Sequence, residues 1–306
     1  MKIMVFDVGG TEIKYSVMDE QMHRTDSGAV PTPQDTQAQF LDAVYRLYAP
    51  HKDEVSGIAM ALPGFVDNRT GYVSNGGALL YNTATPVGQL LAEKCGCPVI
   101  LENDGKAAAM AELANGALKD CCNAAVFIIG TGVGGGIIAN GQLVRGVHFT
   151  AGEYSFVNTN AEAWDAPDQN MACQCSTSNL LKWYRARKAL PEDAPLDGRS
   201  FFAAANAGEP EALEVLRRFC HAVAVQIYNL TALLDVEKVA IGGGISKQPL
   251  LLESLRSAYD GLYASRAGQA YMEGLPRCQI VPCAFSSEAN QVGVAAAYFE
   301  AMQKKC

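Results

Sequence analysis

The sequence FDVGGTEIK at Phe6–Lys14 has a close counterpart in IGTGVGGGI at Ile129–Ile137. Each stretch follows an apolar run, is dense in glycine, and leads into further strand-like sequence instead of a helix. Glycine lacks a Cβ atom and tolerates positive φ, so the backbone N–H groups of such a turn can converge on a phosphate. Two such turns predict a duplicated fold that holds a polyphosphate from two sides, and therefore an enzyme that uses a nucleotide.

The composition is that of an ordinary globular protein, with 49% hydrophobic and 18% charged residues in a chain of 306. This length is sufficient for two domains, each with its own core. The net charge of −8 and the absence of a Lys/Arg-rich run argue against nucleic acid and an anionic membrane as partners. Because the first apolar run is too short for a signal peptide, we expect a cytoplasmic protein whose ten cysteines are mostly reduced.

The spacing of apolar residues and chain breakers predicts an alternation of strands and helices. Strands are expected over Lys2–Val8, Glu12–Met18, Val55–Leu62, Val99–Leu101, Ala124–Ile129, Gly136–Ala139 and Lys238–Ile241. Helices are expected over Thr36–Tyr48, Val87–Lys94, Gly105–Leu118, Ala212–Leu234, Ser246–Ala258 and Glu288–Met302. Ser246 is the expected N-cap of its helix.

The β-β-α alternation occurs twice, which predicts two α/β domains with mixed sheets and a cleft between them. The boundary is expected near Asn115–Asp120. Residues 1–117 together with a C-terminal helix at 288–306 would form a smaller N-terminal domain, and residues 118–287 a larger C-terminal one.

The segment Gly130–Gly135 matches the pattern G-x-G-x-x-G, which in dinucleotide-binding folds is followed directly by a helix. Here the β-branched pair Ile137–Ile138 and an Asn140–Gly141 turn signal follow, so a β-hairpin is favoured. The sequence G-x-x-x-x-G-K-[ST] is absent, which argues against a P-loop enzyme.

Polar side chains stand where two predicted strands end. Asp7 meets the first glycine turn, where a carboxylate can hold Mg²⁺ or its waters and Thr11 can donate to a phosphate oxygen; the alternative is a capped turn. Asn103 and Asp104 follow a short strand and precede a helix. Asp104 is a candidate general base for a substrate hydroxyl and Asn103 a candidate ligand of a polyol, although the local sequence alone favours Asp104 as an N-cap only.

Six ordered motifs resemble the ROK family of sugar kinases and repressors: DVGGT, ALPGFVD, LENDGKAAAMAE, IGTGVGGGI, RGVHFTAGEYSF and AIGGGIS. The similarity covers nearly the whole chain. It implies a two-domain, actin-like (ribonuclease H-like) ATPase fold, ATP and Mg²⁺ as cofactors, and a homodimer.

The resemblance also implies roles for individual residues. Phosphates are held by Asp7, Gly9, Gly10 and Thr11 in the first turn and by Gly130, Thr131 and Gly132 in the second, and adenosine lies near Gly242, Gly243 and Gly244. The sugar-binding residues are Asn103, Asp104, Glu153, Gly64 and Gly77, with Asp104 as the catalytic base.

The chain departs from the family pattern at its structural zinc site. Phe156 replaces a ligand histidine, and only Cys173 and Cys175 remain of three cysteines, since Leu180 stands in the third position. Two thiolates cannot complete a tetrahedral site, so no zinc is expected. Lys182 replaces a sugar-contacting glutamate, a pattern that resembles zinc-less β-glucoside kinases; the alternative is that Phe156 faces the core and Lys182 faces solvent.

The resulting prediction is an ATP-dependent kinase for the 6-hydroxyl of a hexose, either glucose or a β-glucoside. N-acetylmannosamine is the alternative substrate. A sugar-responsive repressor is a second class, disfavoured because the first phosphate turn begins at residue 7 with no preceding helix-turn-helix and because the chain is acidic. A non-catalytic actin-like assembly protein is a third class, disfavoured by Asn103, Asp104 and Glu153.

Overall fold

The computed structural model describes residues 1–270 and 273–303. The chain divides into two compact units. The first comprises Met1–Gly116, Leu143–Ala151 and the chain from Ser287 onward, and the second comprises Ala117–Gln142 and Gly152–Ser286. The segment Leu143–Ala151 thus belongs to the first unit, whereas the sequence analysis assigns it to the second domain. The last three residues of the predicted helix at 288–306 lie outside the described residues.

The first unit is built on a mixed five-stranded sheet of order β3-β2-β1-β4-β7 and a separate β5–β6 hairpin. Its strands are β1 (Lys2–Val8), β2 (Glu12–Asp19), β3 (Arg24–Pro31), β4 (Ile58–Leu62), β5 (Phe65–Asp67), β6 (Tyr72–Asn75) and β7 (Val99–Asn103). Its helices are α1 (Gln37–Tyr48), α2 (Val87–Cys95), α3 (Asp104–Asn115) and α9 (Ala289–Gln303), with 3-10 turns at Ala49–His51 and Leu80–Asn82.

The second unit contains a sheet of order β10-β9-β8-β11-β12. The strands of this sheet are β8 (Ala124–Ile129), β9 (Val133–Ala139), β10 (Gln142–Val144), β11 (Lys238–Gly242) and β12 (Gln279–Pro282). The last two residues of β10 belong to the segment assigned to the first unit. Its helices are α4 (Met171–Cys175), α5 (Thr177–Arg187), α6 (Gly198–Asn206), α7 (Pro210–Leu234) and α8 (Pro249–Ala264), with 3-10 turns at Tyr154–Phe156 and Ala161–Ala163. The apolar faces of these helices and of the sheet form one core.

The two sheets repeat one topology, which confirms the predicted duplication. In each, an antiparallel hairpin encloses a glycine turn, its first strand pairs in parallel with a later strand, and that strand pairs in parallel with a third. Ile129 opposes Val133 across β8 and β9, so Gly130–Gly135 starts a hairpin and not a dinucleotide-binding helix. Asn140 and Gly141 both have positive φ, as a tight hairpin turn requires.

The structure differs from the predicted elements in ways that have local causes. Strand β3 is absent from the sequence prediction because its residues are mostly exposed, and an edge strand of this kind carries no apolar alternation. The expected N-cap Ser246 is wrong: α8 begins at Pro249, a residue that favours the first helical position, and the Ser246 hydroxyl donates to the Gly243 carbonyl oxygen at 2.8 Å.

Among the described residues, no helix is both long and apolar enough to span a membrane.

Candidate active site

The carboxyl ends of three parallel strands meet at one edge of the first sheet. Asp7 on β1 lies in register with Ala61 on β4, and Ala61 lies in register with Glu102 on β7. Since neighbouring strands are ~4.8 Å apart, the backbones of Asp7 and Glu102 are separated by about 10 Å. The predicted phosphate turn and the Asn103–Asp104 pair therefore extend from the same edge, where α/β folds place their ligands.

The first glycine turn is oriented by hydrogen bonds to its carbonyl oxygens. The Thr32 hydroxyl donates to Gly9 O at 2.8 Å, and the Gln34 side-chain amide donates to Gly10 O at 2.7 Å. In a trans peptide the N–H points opposite to the C=O. The N–H groups of Gly10 and Thr11 are thus directed away from Thr32 and Gln34, as a phosphate-binding turn requires.

The carboxyl group of Asp7 is held behind this turn by a residue that the sequence analysis did not identify. The side-chain amide of Asn290, on α9, donates to Asp7 Oδ1 at 2.9 Å. Burial raises the pKa of the Asp7 carboxyl, although the hydrogen bond from Asn290 and the charge of Lys14 oppose this shift. A buried carboxylate that costs free energy to ionise is well suited to a nearby cation.

Asn103, and not Asp104, caps the helix that follows β7. The Asn103 side-chain oxygen accepts from the Lys106 N–H at 3.0 Å, which is the N-cap geometry, and Asp104 is the first helical residue. The alternative that Asp104 serves only as the N-cap is therefore wrong. The Asp104 carboxylate accepts at Oδ1 from the Gly105 N–H at 2.7 Å and from the Asn103 amide at 3.1 Å.

The same Asn103 amide connects this helix start to the turn after β4. It donates to the Gly64 carbonyl oxygen at 2.9 Å, so its two N–H bonds are directed to Gly64 and Asp104. Gly64 has φ of +94°, and a Cβ atom there would collide with the carbonyl oxygen of Asn75. Gly77, also at positive φ, packs against Gly64, and its N–H is bound by the Asn75 side chain at 2.8 Å. The predicted sugar-site residues Gly64, Gly77, Asn103 and Asp104 are thus adjacent.

An ion pair between the buried Glu102 and the half-buried Arg145 supports this cluster, and the sequence patterns do not predict it. Glu102 is fully buried, and its carboxylate accepts from Arg145 Nε at 2.8 Å and from the Asn103 N–H at 3.1 Å. Arg145 lies in the segment of the first unit that was assigned to the second domain. A buried charge pair of this kind is costly to break, so it fixes the end of β7.

In the second unit, the second glycine turn is oriented as the first one is. The Thr177 backbone N–H donates to Gly130 O at 2.9 Å and its hydroxyl donates to Ile129 O at 3.3 Å. The N–H of Thr131, in the same peptide unit as Gly130 O, therefore points to the other side. A Cβ atom at Gly132 would stand 2.9 Å from the Ser155 hydroxyl, so a larger residue there would displace the side chain that hydrogen-bonds the Val133 backbone.

The third glycine turn, Gly242–Gly244, lies next to the second. Gly243 has φ of +96°, and a Cβ atom there would collide with the carbonyl oxygen of Ile129 at the end of β8. Gly244 is exposed and has open space where a Cβ would stand. Two of the three predicted nucleotide-binding turns are therefore neighbours within one unit, and both present backbone at the ends of adjacent parallel strands.

Glu153 and Phe156 belong to one 3-10 turn beside β9. The Phe156 N–H donates to Glu153 O at 3.1 Å, and the buried Tyr154 between them donates from its hydroxyl to Gly136 O at 3.1 Å. The Phe156 side chain is 71% exposed. The alternative that Phe156 faces the core is therefore wrong, whereas Lys182 is exposed as that alternative expects.

The remnant of the zinc motif is built into the apolar interior. Cys175 and Leu180 are buried, and burial raises the pKa of the Cys175 thiol to about 12. In the absence of a metal ion, a thiol in this environment is protonated at neutral pH. Within residues 1–270 and 273–303, no group of three or more His, Cys, Asp or Glu side chains is placed to hold a metal ion.

The residues present fit MgATP. Each unit directs peptide N–H groups of a glycine turn outward, which suits phosphate oxygens. Mg²⁺ keeps most of its waters and uses one or two carboxylates together with substrate phosphates, so Asp7 alone is a sufficient protein ligand.

Comparison with known proteins gives a consistent result. The model of the ROK family matches residues 3–303. The beta-glucoside kinase of Listeria innocua is 31% identical over 258 residues, which are 84% of this chain and 87% of that protein. A ROK family protein from Streptococcus pneumoniae in complex with sucrose has a TM-score of 0.87 at 28% identity, covering 99% of this chain and 100% of the other.

A ROK family glucokinase from Streptomyces griseus, solved with glucose and AMPPNP, has a TM-score of 0.79 at 25% identity, covering 97% of this chain and 99% of the other. These matches confirm the expected actin-like architecture with mixed sheets.

Proposed function

Because the chain belongs to the ROK family and is a carbohydrate kinase, we propose that it transfers the γ-phosphoryl group of ATP to the 6-hydroxyl of a glucose unit and that it accepts β-glucosides. The single observation that carries the choice of acceptor is the exposed Phe156 ring on the same 3-10 turn as Glu153.

The position of Phe156 has a direct consequence for the anomeric end of the sugar. An aromatic ring offers an apolar face for a sugar or aryl aglycone, and it offers no hydrogen bond to a free anomeric hydroxyl. A site without polar partners for a hydroxyl loses its means of rejecting ligands in which that hydroxyl is masked. The Listeria beta-glucoside kinase supports this choice, and the sucrose complex is a related case of a bound glucose unit whose anomeric carbon is substituted, there through an α-bond.

The residues of the first unit perform the acid–base and positioning steps. Asp104 accepts the proton of the 6-hydroxyl as its oxygen attacks the γ-phosphorus, and ADP is the leaving group. The amide of Asn103 holds Asp104 Oδ1, while the Asn103 side-chain oxygen keeps one further acceptor site that a sugar hydroxyl can use. Asp7 would hold Mg²⁺, which would neutralise charge on the phosphates.

The residues of the second unit bind the other parts of the substrates. The turns at Gly130–Gly132 and Gly242–Gly244 hold phosphate and adenosine, and Glu153 accepts hydrogen bonds from ring hydroxyls. These two turns are adjacent, which supports their assignment to one nucleotide.

A coupled ADP-release assay over a panel of acceptors tests the proposal. The panel comprises glucose, cellobiose, aryl β-glucosides, fructose, mannose and N-acetylmannosamine. We expect kcat/KM for a β-glucoside at least equal to that for glucose. A strong preference for free glucose, or for N-acetylmannosamine, with β-glucosides neither phosphorylated nor inhibitory, contradicts the proposed acceptor.

A further inference from the structure

The chain that follows Phe156 forms a closed loop in the second unit. Its base is joined by backbone hydrogen bonds from Met171 N to Val157 O at 2.9 Å and from Thr159 N to Gln169 O at 2.8 Å. The base therefore holds the two arms together, and residues 160–168 form the tip of the loop.

The tip is itself held in a defined conformation. The Asn160 side chain caps the 3-10 turn Ala161–Ala163 by accepting from Glu162 N at 3.1 Å. The Gln174 side-chain amide donates to Asp168 O at 2.8 Å, and the Asn170 amide donates to Pro167 O at 2.9 Å. These bonds give the side chains at the tip a fixed support.

Trp164 is the large apolar side chain at this tip, and it is 73% exposed. The other tryptophan, Trp183, is half-buried, and the Arg218 guanidinium lies 3.7 Å from its ring centroid in a groove of about 970 Å³. An exposed indole ring offers a large flat apolar face on which a sugar ring or an aryl group can stack.

The reach of the loop relates Trp164 to the sugar site. Val157 directly follows the turn of Glu153 and Phe156, and an extended arm of three residues spans at most ~10–11 Å. The tip therefore begins within about the length of a disaccharide from Val157, and Trp164 lies four residues beyond the first residue of the tip.

The acidic side chains at the tip favour neutral ligands over anionic ones. Glu162, Asp165 and Asp168 are exposed around Trp164, so hydroxyl groups meet hydrogen-bond acceptors there and anions are repelled.

We propose that Trp164 is a specificity-determining residue that stacks on a neutral aglycone, either a second sugar or an aryl group, attached through a β-glucosidic bond. The inference rests on the proposed function. It adds that aglycones which carry a carboxylate or phosphate are poor substrates because of the acidic tip.

Fluorescence tests the contact independently of turnover. In the variant Trp183→Phe, Trp164 is the remaining tryptophan. Titration with cellobiose is expected to shift and quench its emission, whereas glucose leaves the emission largely unchanged. An emission that cellobiose leaves unchanged at concentrations that saturate turnover overturns the inference.

Kinetics provide the second measurement. In Trp164→Ala we expect the ratio of kcat/KM for cellobiose to that for glucose to fall about tenfold or more, the scale of one lost apolar contact in a pocket. Trp164→Phe should restore most of the ratio, and Leu233→Ala, which removes another exposed apolar side chain of the second unit, should not change it.

The two hypotheses fail in different ways. If wild-type enzyme phosphorylates cellobiose and Trp164→Ala retains the wild-type ratio, only the role of Trp164 is overturned. If wild-type enzyme phosphorylates glucose and no β-glucoside, the proposed acceptor class is overturned and the role of Trp164 falls with it.

Discussion

The side-chain amide of Asn103 donates to the carbonyl oxygen of Gly64 at 2.9 Å and thereby fixes the start of α3 against the turn after β4. Because Gly64 has positive φ and no room for a Cβ atom, this bond depends on a glycine at that position. The orientation of Asp104, which the same amide contacts, depends on it in turn.

Replacement of Gly64 by alanine should therefore damage both stability and catalysis. We expect Gly64→Ala to lower the free energy of unfolding by about 3 kcal/mol or more, since steric collision adds to the cost of positive φ. Gly96→Ala is the matched control, because Gly96 also has positive φ but open space around its Cβ position. It should cost roughly 1–2 kcal/mol and leave kcat intact. If Gly64→Ala and Gly96→Ala lower the free energy of unfolding in urea equally and affect kcat equally, the Gly64 turn does not support the site.

Replacement of Asp104 by asparagine tests the general base. Asp104→Asn should keep the fold and ATP binding and lower kcat by about 10²–10⁴, the usual contribution of a positioned base. Asp197→Asn is the control, because Asp197 is an exposed carboxylate at the start of α6. Wild-type kcat in Asp104→Asn, measured beside unchanged circular dichroism, would assign Asp104 a structural role only.

Replacement of Asp7 by asparagine should raise the stability of the protein and lower its activity. Because burial raises its pKa, the folded protein holds this proton more tightly than the unfolded chain does. The stability contribution of the protonated form is complete below the unfolded pKa and is lost as the pH rises through the folded pKa. At neutral pH, Asp7→Asn should therefore unfold at a higher denaturant concentration than wild type, with the difference shrinking in acid.

The same Asp7→Asn variant should lose activity by about 10²–10³-fold, the range for one preorganised electrostatic group. Asp42→Asn provides a contrast, because the hydrogen bond and charge of Lys94 lower the pKa of Asp42. Asp42→Asn should therefore be less stable than wild type at neutral pH, whereas Asp7→Asn should be more stable. Denaturant titrations from pH 4 to pH 8 measure the stability of both variants. If Asp7→Asn is less stable than wild type at neutral pH, the ionised Asp7 carboxylate does not destabilise the fold and the raised pKa is refuted.

The remnant zinc motif should bind no zinc. Purified protein is expected to contain no stoichiometric zinc, and a chelator should leave Tm unchanged, because Phe156 and the buried Leu180 stand at two of the four ligand positions. Metal analysis that finds one zinc ion per chain would overturn this expectation and would require ligands beyond Cys173 and Cys175.

Much of this architecture could be predicted because its signals are local. The glycine turns and the hairpins follow from neighbouring residues, and so does the placement of Asn103 and Asp104 at a strand–helix junction. The exposed strand β3 carries no apolar pattern and was not predicted.

The supporting contacts could not be predicted because they join distant parts of the chain. Asn290 and its partner Asp7 are 283 positions apart in the sequence, and Arg145 and its partner Glu102 are 43 positions apart. Asn290 lies on an apolar helix and Arg145 begins the RGVHFTAGEYSF motif, but neither pattern indicates which distant residue each one binds.

The most direct test of the central claim is the structure of the product formed from ATP and cellobiose. Proton-coupled ³¹P NMR of the reaction mixture should show ADP together with a phosphate ester split into a triplet by the two protons of a primary carbon, as phosphorylation of a 6-hydroxyl requires. A doublet, which marks a secondary hydroxyl, or inorganic phosphate as the sole new species, would contradict the account.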